Sequence, residues 1–240
     1  MRHIGRYRGR YMEERMIWNT DHIKNFVFIG EAGCGKSEIA VNLALHLLKE
    51  KHPVHLFDLD TTKPLFRTRD QASWLEHRGV SVHFEQQLAD APTIGGGVRL
   101  ALRDEDTFTI LDVGGDYMGA RSIGGYAPIL RGDETGIYYV INPFRPWSTT
   151  LERLDGVLGQ ILQTAHISLD QLHLVGNPNL GADTDVRDVI DGTKMLTDMV
   201  SPYREVEFLC VEKRLYELVK GEISLPLFPL ERYLPYPWEE

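Results

Sequence analysis

Residues Gly30 to Ser37 read Gly-Glu-Ala-Gly-Cys-Gly-Lys-Ser, and they stand between a short apolar run and an amphipathic stretch. A G-x-x-x-x-G-K-S octapeptide in that setting admits few folds. It must be the turn that carries the chain from the carboxyl end of a buried strand into the first turn of a helix. Phe26-Val27-Phe28-Ile29 before it is apolar throughout, as a strand covered on both faces would be. After it, Ile39, Ala40, Leu43, Leu47 and Leu48 recur at helical spacing through Lys51. In such a loop the backbone N–H groups around Gly30, Gly33, Cys34 and Gly35 turn inward on phosphate oxygens, and the helix adds the positive end of its dipole. Lys36 can then reach the β- and γ-phosphates, and the Ser37 hydroxyl can ligate Mg²⁺. The alternative is a chance glycine-rich turn, which explains neither the strand nor the helix.

The rest of the chain repeats the alternation. Apolar runs at residues 54–57, 80–84, 108–111, 137–141, 172–175 and 206–211 read as strands, and helical patterns such as Leu151 to Ala165 and Val186 to Met199 separate them. The expectation is an α/β fold, a mainly parallel sheet with helices on both faces, of the P-loop NTPase kind. Ligands of such sheets bind at the carboxyl ends of the strands, so the informative residues are those that leave each strand. Residues 25–228 are read as one nucleotide-binding domain. The glycine-rich stretch Pro92-Thr93-Ile94-Gly95-Gly96-Gly97 reads as a mobile loop, because no Lys-Ser pair follows it.

The second strand runs into Asp58-Leu59-Asp60. Alternation puts both carboxylates on one side of the chain at the ligand edge, where Asp58 could hold a metal-bound water and Asp60 orient an attacking one; alternatively Asp60 only begins the turn. Asp112 follows the apolar Phe108-Thr109-Ile110-Leu111 and precedes Val113-Gly114-Gly115. An aspartate there matches the element that orders Mg²⁺ in phosphate-loop enzymes, and the glycines would let a backbone N–H approach the γ-phosphate. Catalysis is therefore expected of Lys36, Asp60 and Asp112, and metal binding of Ser37, Asp58 and Asp112.

Together the octapeptide, Asp58-Leu59-Asp60 and Asp112 to Gly115 resemble the MinD/ParA/CobB-like nucleotide-binding family of the SIMIBI class, over roughly residues 25 to 220. The resemblance implies a sheet of seven or eight strands, ATP with Mg²⁺, slow hydrolysis and often a nucleotide-dependent dimer. One departure stands out. Members with the deviant loop carry, after its first glycine, a lysine that reaches across the dimer, and here that position is Glu31. The resemblance also implies that Asn177, after the sixth strand, contacts adenine through its amide; Asn177 and Asn179 could instead shape a Pro-containing turn. Pro178 stands where the lysine of a guanine-reading N-K-x-D would be, which favours ATP over GTP.

Arg67, Arg69, Arg121 and Arg145 all lie beyond strand ends, where at least one is expected to touch ligand. Two cysteines, Cys34 and Cys210, make neither a disulfide framework nor a four-ligand metal site. A formal net charge of −9 leaves no basic surplus for general nucleic-acid binding. No apolar stretch approaches the ~18 residues of a membrane span, and no apolar signal core opens the chain, so a cytoplasmic protein is expected. Residues 1–24 carry Arg2, Arg6, Arg8, Arg10, Arg15 and Lys24 against Glu13, Glu14 and Asp21 and read as a solvated basic extension, or as the product of a start placed upstream of Met12 or Met16. Residues 229–240 are rich in proline and aromatics and read as a tail laid on the domain. The functions compatible with these residues are a slow ATPase switch, a CobB-like ligase or small-molecule kinase, and an ATP-binding regulatory module, each with a client or substrate the residues do not identify.

Overall fold

Strands whose every residue is apolar need cover on both sides, and the chain supplies it with helices. The computed structural model describes residues 16–50, 52–60, 68–84 and 94–234. Eight strands form one sheet, β1 Asn25–Ile29, β2 Val54–Asp58, β3 Val80–Phe84, β4 Phe108–Asp112, β5 Thr135–Ile141, β6 Leu172–Gly176, β7 Val206–Glu212 and β8 Leu227–Leu230. Their order is β3-β2-β4-β1-β5-β6-β7-β8, with every neighbouring pair parallel. The helices are α1 Lys36–Leu47, α2 Ala72–Glu76, α3 Ile94–Ala101, α4 Tyr117–Gly124, α5 Ala127–Leu130, α6 Leu151–Ala165, α7 Val186–Val200 and α8 Lys213–Val219. The α/β architecture expected from the alternation is the one observed.

Successive side chains of each strand enter opposite cores. Val27, Ile29, Leu111, Ile137, Tyr139 and Ile141 face a layer that draws on α3 to α8. Phe26, Phe28, Leu56, Ile110, Tyr138 and Val140 face a thinner layer made by α1 and α2. Where those two helices end, Trp18 fills the gap. Its fully buried ring meets Phe26, Phe28, Tyr138, Phe208 and Phe228 edge-on, at centroid distances of 4.8 to 6.2 Å.

This corrects the reading of residues 16–24 as a solvated extension, since Trp18, Thr20 and Ile23 are all buried. The arginines that suggested solvation all fall in residues 1–15, outside the described residues, and one tryptophan has no period to announce its burial. Two further expectations change. Ile94–Gly97 opens α3 instead of continuing a loop, because the helix seats Val98 and Leu102 in the core, and that burial outweighs the poor helix propensity of glycine. Strand β8 straddles the start of the Pro/aromatic tail. Its Pro229 is tolerated because β8 is the sheet edge and has a ladder partner, β7, on one side only.

Candidate functional site

The loop after β1 is shaped by what its glycines avoid. Gly30, Gly33 and Gly35 have φ of 141°, 75° and 103°. A side chain on Gly30 would place its Cβ 2.4 Å from the Val140 carbonyl, and one on Gly35 would meet the Asn177 amide. Lys36 folds back under the loop, 1% exposed, with Nζ donating to the carbonyls of Gly30 and Glu31, both at 3.0 Å, and 3.8 Å from Cys34 Sγ. Cys34 is buried. Asn177 braces the loop from β6. Its Nδ2 donates to the Cys34 carbonyl at 2.8 Å, and its backbone N–H to Ile141 O at 2.8 Å. The donor half of the amide that was expected to read adenine is thus engaged with the loop.

The carboxylates gather at the neighbouring strand ends. Asp58 and Asp112 are paired in the β2–β4 register, and both are buried. Asp58 Oδ1 accepts from the Asp60 backbone N–H at 3.1 Å, so Asp58 shapes the turn, the role that the sequence left as the alternative for Asp60. Asp112 Oδ2 accepts from Thr68 Oγ1, at the start of the 3-10 turn Thr68–Gln71, at 3.0 Å, a contact with no sequence signal because its partners lie 44 residues apart. The Asp60 carboxylate lies against Gly114, whose Cβ would fall 3.2 Å from Oδ1. Gly115 packs on the phosphate loop so closely that a Cβ would sit 2.3 Å from Ala32 N. Asp116 then starts α4 by accepting from Gly119 N–H at 2.8 Å. The sequence elements that seemed separate are in contact.

Glu31 turns into its own chain. Its carboxylate is buried and accepts from Trp147 N–H at 3.0 Å and Ser148 Oγ at 2.8 Å, which caps the short 3-10 turn Pro146–Ser148 after β5. A Glu31→Lys substitution, which restores the lysine of the resembled family, should therefore destabilise the fold by about 3 kcal/mol, because two donors lose their acceptor and an ammonium takes its place. Thermal unfolding checks this; a melting temperature equal to that of the unmodified chain would show that the pocket accepts a cation.

Beyond the loop lies a cavity of about 240 Å³, lined on one side by Gly33, Gly35, Ser37 and Asn177 and on the other by Asn142, Asn179, Gly181, Leu230, Arg232 and Leu234. Its walls are fixed by polar ties. Asn142 Nδ2 donates to Asn179 O at 2.7 Å, Asn179 Oδ1 accepts from Gly181 N–H at 2.7 Å, and Arg214 donates to the carbonyls of Ala182 and Thr184. The strap after β8 is clipped to α1. Asn42 exchanges hydrogen bonds with the Glu231 backbone at 2.8 Å, and the Glu38 carboxylate accepts from Tyr233 N–H at 2.6 Å and Leu234 N–H at 3.2 Å. Burial pushes the Glu38 carboxyl up to about 7, against the pull of those two N–H donors and of Arg232. Sequence reasoning missed Glu38, Asn142, Gly181, Leu230, Arg232 and Leu234. Only Asn142, directly after a strand, carried a signal.

No protein-family model and no curated protein matches the chain. Solved structures match it in fold. The signal recognition particle 54 kDa protein from Aeropyrum pernix K1, in complex with GDP, superposes with a TM-score of 0.51 at 17% identity, over 78% of this chain and 41% of that one. The signal recognition particle receptor FtsY from Elizabethkingia anophelis, in complex with GDP, gives 0.50 at 15% identity over 83% and 63%. FtsY from Thermotoga maritima gives 0.50 at 17% identity over 79% and 62%. The fold is that of the P-loop NTPases. This chain spans between 41% and 63% of the length of those three.

Within the P-loop fold the arginines separate. Arg121 is exposed on α4, Arg67 and the side chain of Arg69 lie outside the described residues, and Arg145 touches the loop, its Nε donating to Gly33 O at 2.9 Å. No helix among the described residues is long and apolar enough to cross a membrane.

Proposed function

We propose that the chain binds ATP with Mg²⁺ at the P-loop and hydrolyses it slowly as a conformational switch of the MinD/ParA type. The observation that carries this reading is Lys36, a buried ammonium held against the carbonyls of its own loop, within a turn whose Gly30, Gly33 and Gly35 all take positive φ. Burying an ammonium is costly, and a phosphate in the cradle repays that cost. Mg²⁺ fits the neighbouring groups. Among the described residues no three His, Cys, Asp or Glu side chains converge on a metal, but Mg²⁺ in nucleotide sites asks for one or two carboxylates beside phosphate oxygens and water. Ser37 and Asp112 would hold it, with Asp58 behind a water, and the ion would neutralise charge on the β- and γ-phosphates. Two buried carboxylates side by side in the β2–β4 register also favour a cation nearby.

The base is the finer question, since two of the structural neighbours are complexes with GDP. Guanine recognition commonly uses a carboxylate accepting from the base. The carboxylate lining this cavity is Glu38, which already accepts two backbone N–H groups, whereas Asn179, whose Oδ1 takes the Gly181 N–H, keeps its Nδ2 donors for a ring nitrogen of adenine. Calorimetric titration with Mg²⁺ and either nucleotide should give ATP about tenfold or more over GTP, and tighter binding of GTP would overturn the base assignment. A groove of about 900 Å³ beside the loop, lined in part by Ala32, Gly115, Tyr117 and Trp147, supports the ligase or kinase reading as the second one, because an acceptor seated there would face the end of the nucleotide.

Asp60→Asn should keep most of the ATP affinity and lower turnover, whereas Asp112→Asn should weaken binding in the presence of Mg²⁺ but not in its absence. Phosphate release and titrations with and without Mg²⁺ separate the two; unchanged turnover in both variants would end these roles.

A further inference from the structure

The segment after β5 is built more rigidly than a connecting loop requires. Asn142 Oδ1 accepts from Phe144 N–H at 3.1 Å, Arg145 N–H donates to Asn142 O at 3.0 Å, and Ser148 N–H donates to Arg145 O at 2.9 Å. Glu31 then ties Trp147 and Ser148 to the phosphate loop. All these bonds fix the backbone that carries Arg145. The side chain is held at one point only, Nε to Gly33 O, and among the described residues its two terminal nitrogens have no protein partner. Arg145 as a whole is half-buried and borders both the cavity behind the loop and the groove in front of it. Its neighbour Arg153, by contrast, spends Nη1 on Pro146 O and Thr149 Oγ1.

A preset backbone, a tethered Nε and an uncommitted pair of donors at the mouth of a phosphate cradle form a device for a phosphate oxygen. Resting on the nucleotide reading above, we propose that Arg145 is an arginine acting in cis: its terminal N–H groups bind the γ-phosphate of a bound nucleoside triphosphate and stabilise the charge that builds there during hydrolysis. In that step the oxygen of a water bonds to the γ-phosphorus. The bond from phosphorus to the β,γ-bridging oxygen breaks, and its electron pair leaves with the diphosphate. The proton of the water departs with the phosphate product. Arg145 gives hydrogen bonds and exchanges no proton. Glu31 facing inward fits this design, because a positive charge supplied from the same chain removes the need for one from a second copy.

The test compares the unmodified chain with Arg145→Ala and Arg145→Lys. Binding of ADP and of a non-hydrolysable ATP analogue is measured by calorimetry, and phosphate release is measured over a hundredfold range of protein concentration. In Arg145→Ala the preference for the triphosphate analogue over ADP should fall about tenfold or more while ADP affinity stays within about threefold, and any turnover should fall a hundredfold or more; Arg145→Lys should recover part of both. Specific activity of the unmodified chain should not depend on its concentration. An unchanged triphosphate preference in Arg145→Ala, an equal loss of ADP affinity, or activity that rises with protein concentration overturns the cis role while leaving the nucleotide site in place. Failure of the unmodified chain to bind either nucleotide overturns both.

Discussion

Lys36→Ala should lower ATP affinity by about 3 kcal/mol or more, a hundredfold or more, because the ammonium is the one cation that lies inside the cradle among the described residues. Its loss also leaves the Gly30 and Glu31 carbonyls without the donor they share, for a stability cost of about 1 kcal/mol. Calorimetry on the folded variant gives the first number and chemical unfolding the second. Equal affinity in the variant and the unmodified chain would remove the phosphate-binding assignment, since no other described residue supplies that charge from within the loop.

Trp18→Ala should cause the largest loss of stability of any single substitution considered. Truncating a fully buried tryptophan costs about 3–5 kcal/mol, which for a chain of this size lowers the melting temperature by roughly 6 to 20 °C. Five rings lose their common neighbour, and the part of the sheet beyond α1 loses its cover. Trp18→Phe should be much milder. The indole N–H has no hydrogen-bond partner among the described residues, so only volume is lost. A shift of less than about 3 °C for the alanine variant would show that the cluster relaxes around the gap.

What could be read from the sequence was whatever depends on local order. The octapeptide, the seven apolar strands from Asn25 to Glu212 and the aspartates at their ends are each visible within a few residues, and the parallel alternation then puts them on one edge. What stayed hidden depends on partners far along the chain. Thr68 against Asp112, Glu31 against Ser148 and Asn42 against Glu231 join positions 44, 117 and 189 residues apart, and no pattern in either partner forecasts them. Asp58 and Asp60 illustrate the boundary between the two. Alternation placed both carboxylates at the right edge, but which one would shape the turn was decided by a single backbone N–H.

The strand order sets a schedule for synthesis. Strand β1, which carries the phosphate loop, pairs with β4 and β5 and with nothing made in between, so a growing chain keeps Phe26 to Ile29 unpaired until residues 108–141 have emerged from the ribosome. Contacts of such long sequence separation close slowly. The cavity behind the loop takes its last wall from Leu230, Arg232 and Leu234, which are added some 90 residues after β5 is complete. The ligand site is therefore finished last, and until β4 and β5 have emerged a nascent polypeptide exposes the apolar β1 with no ligand able to hold it in place.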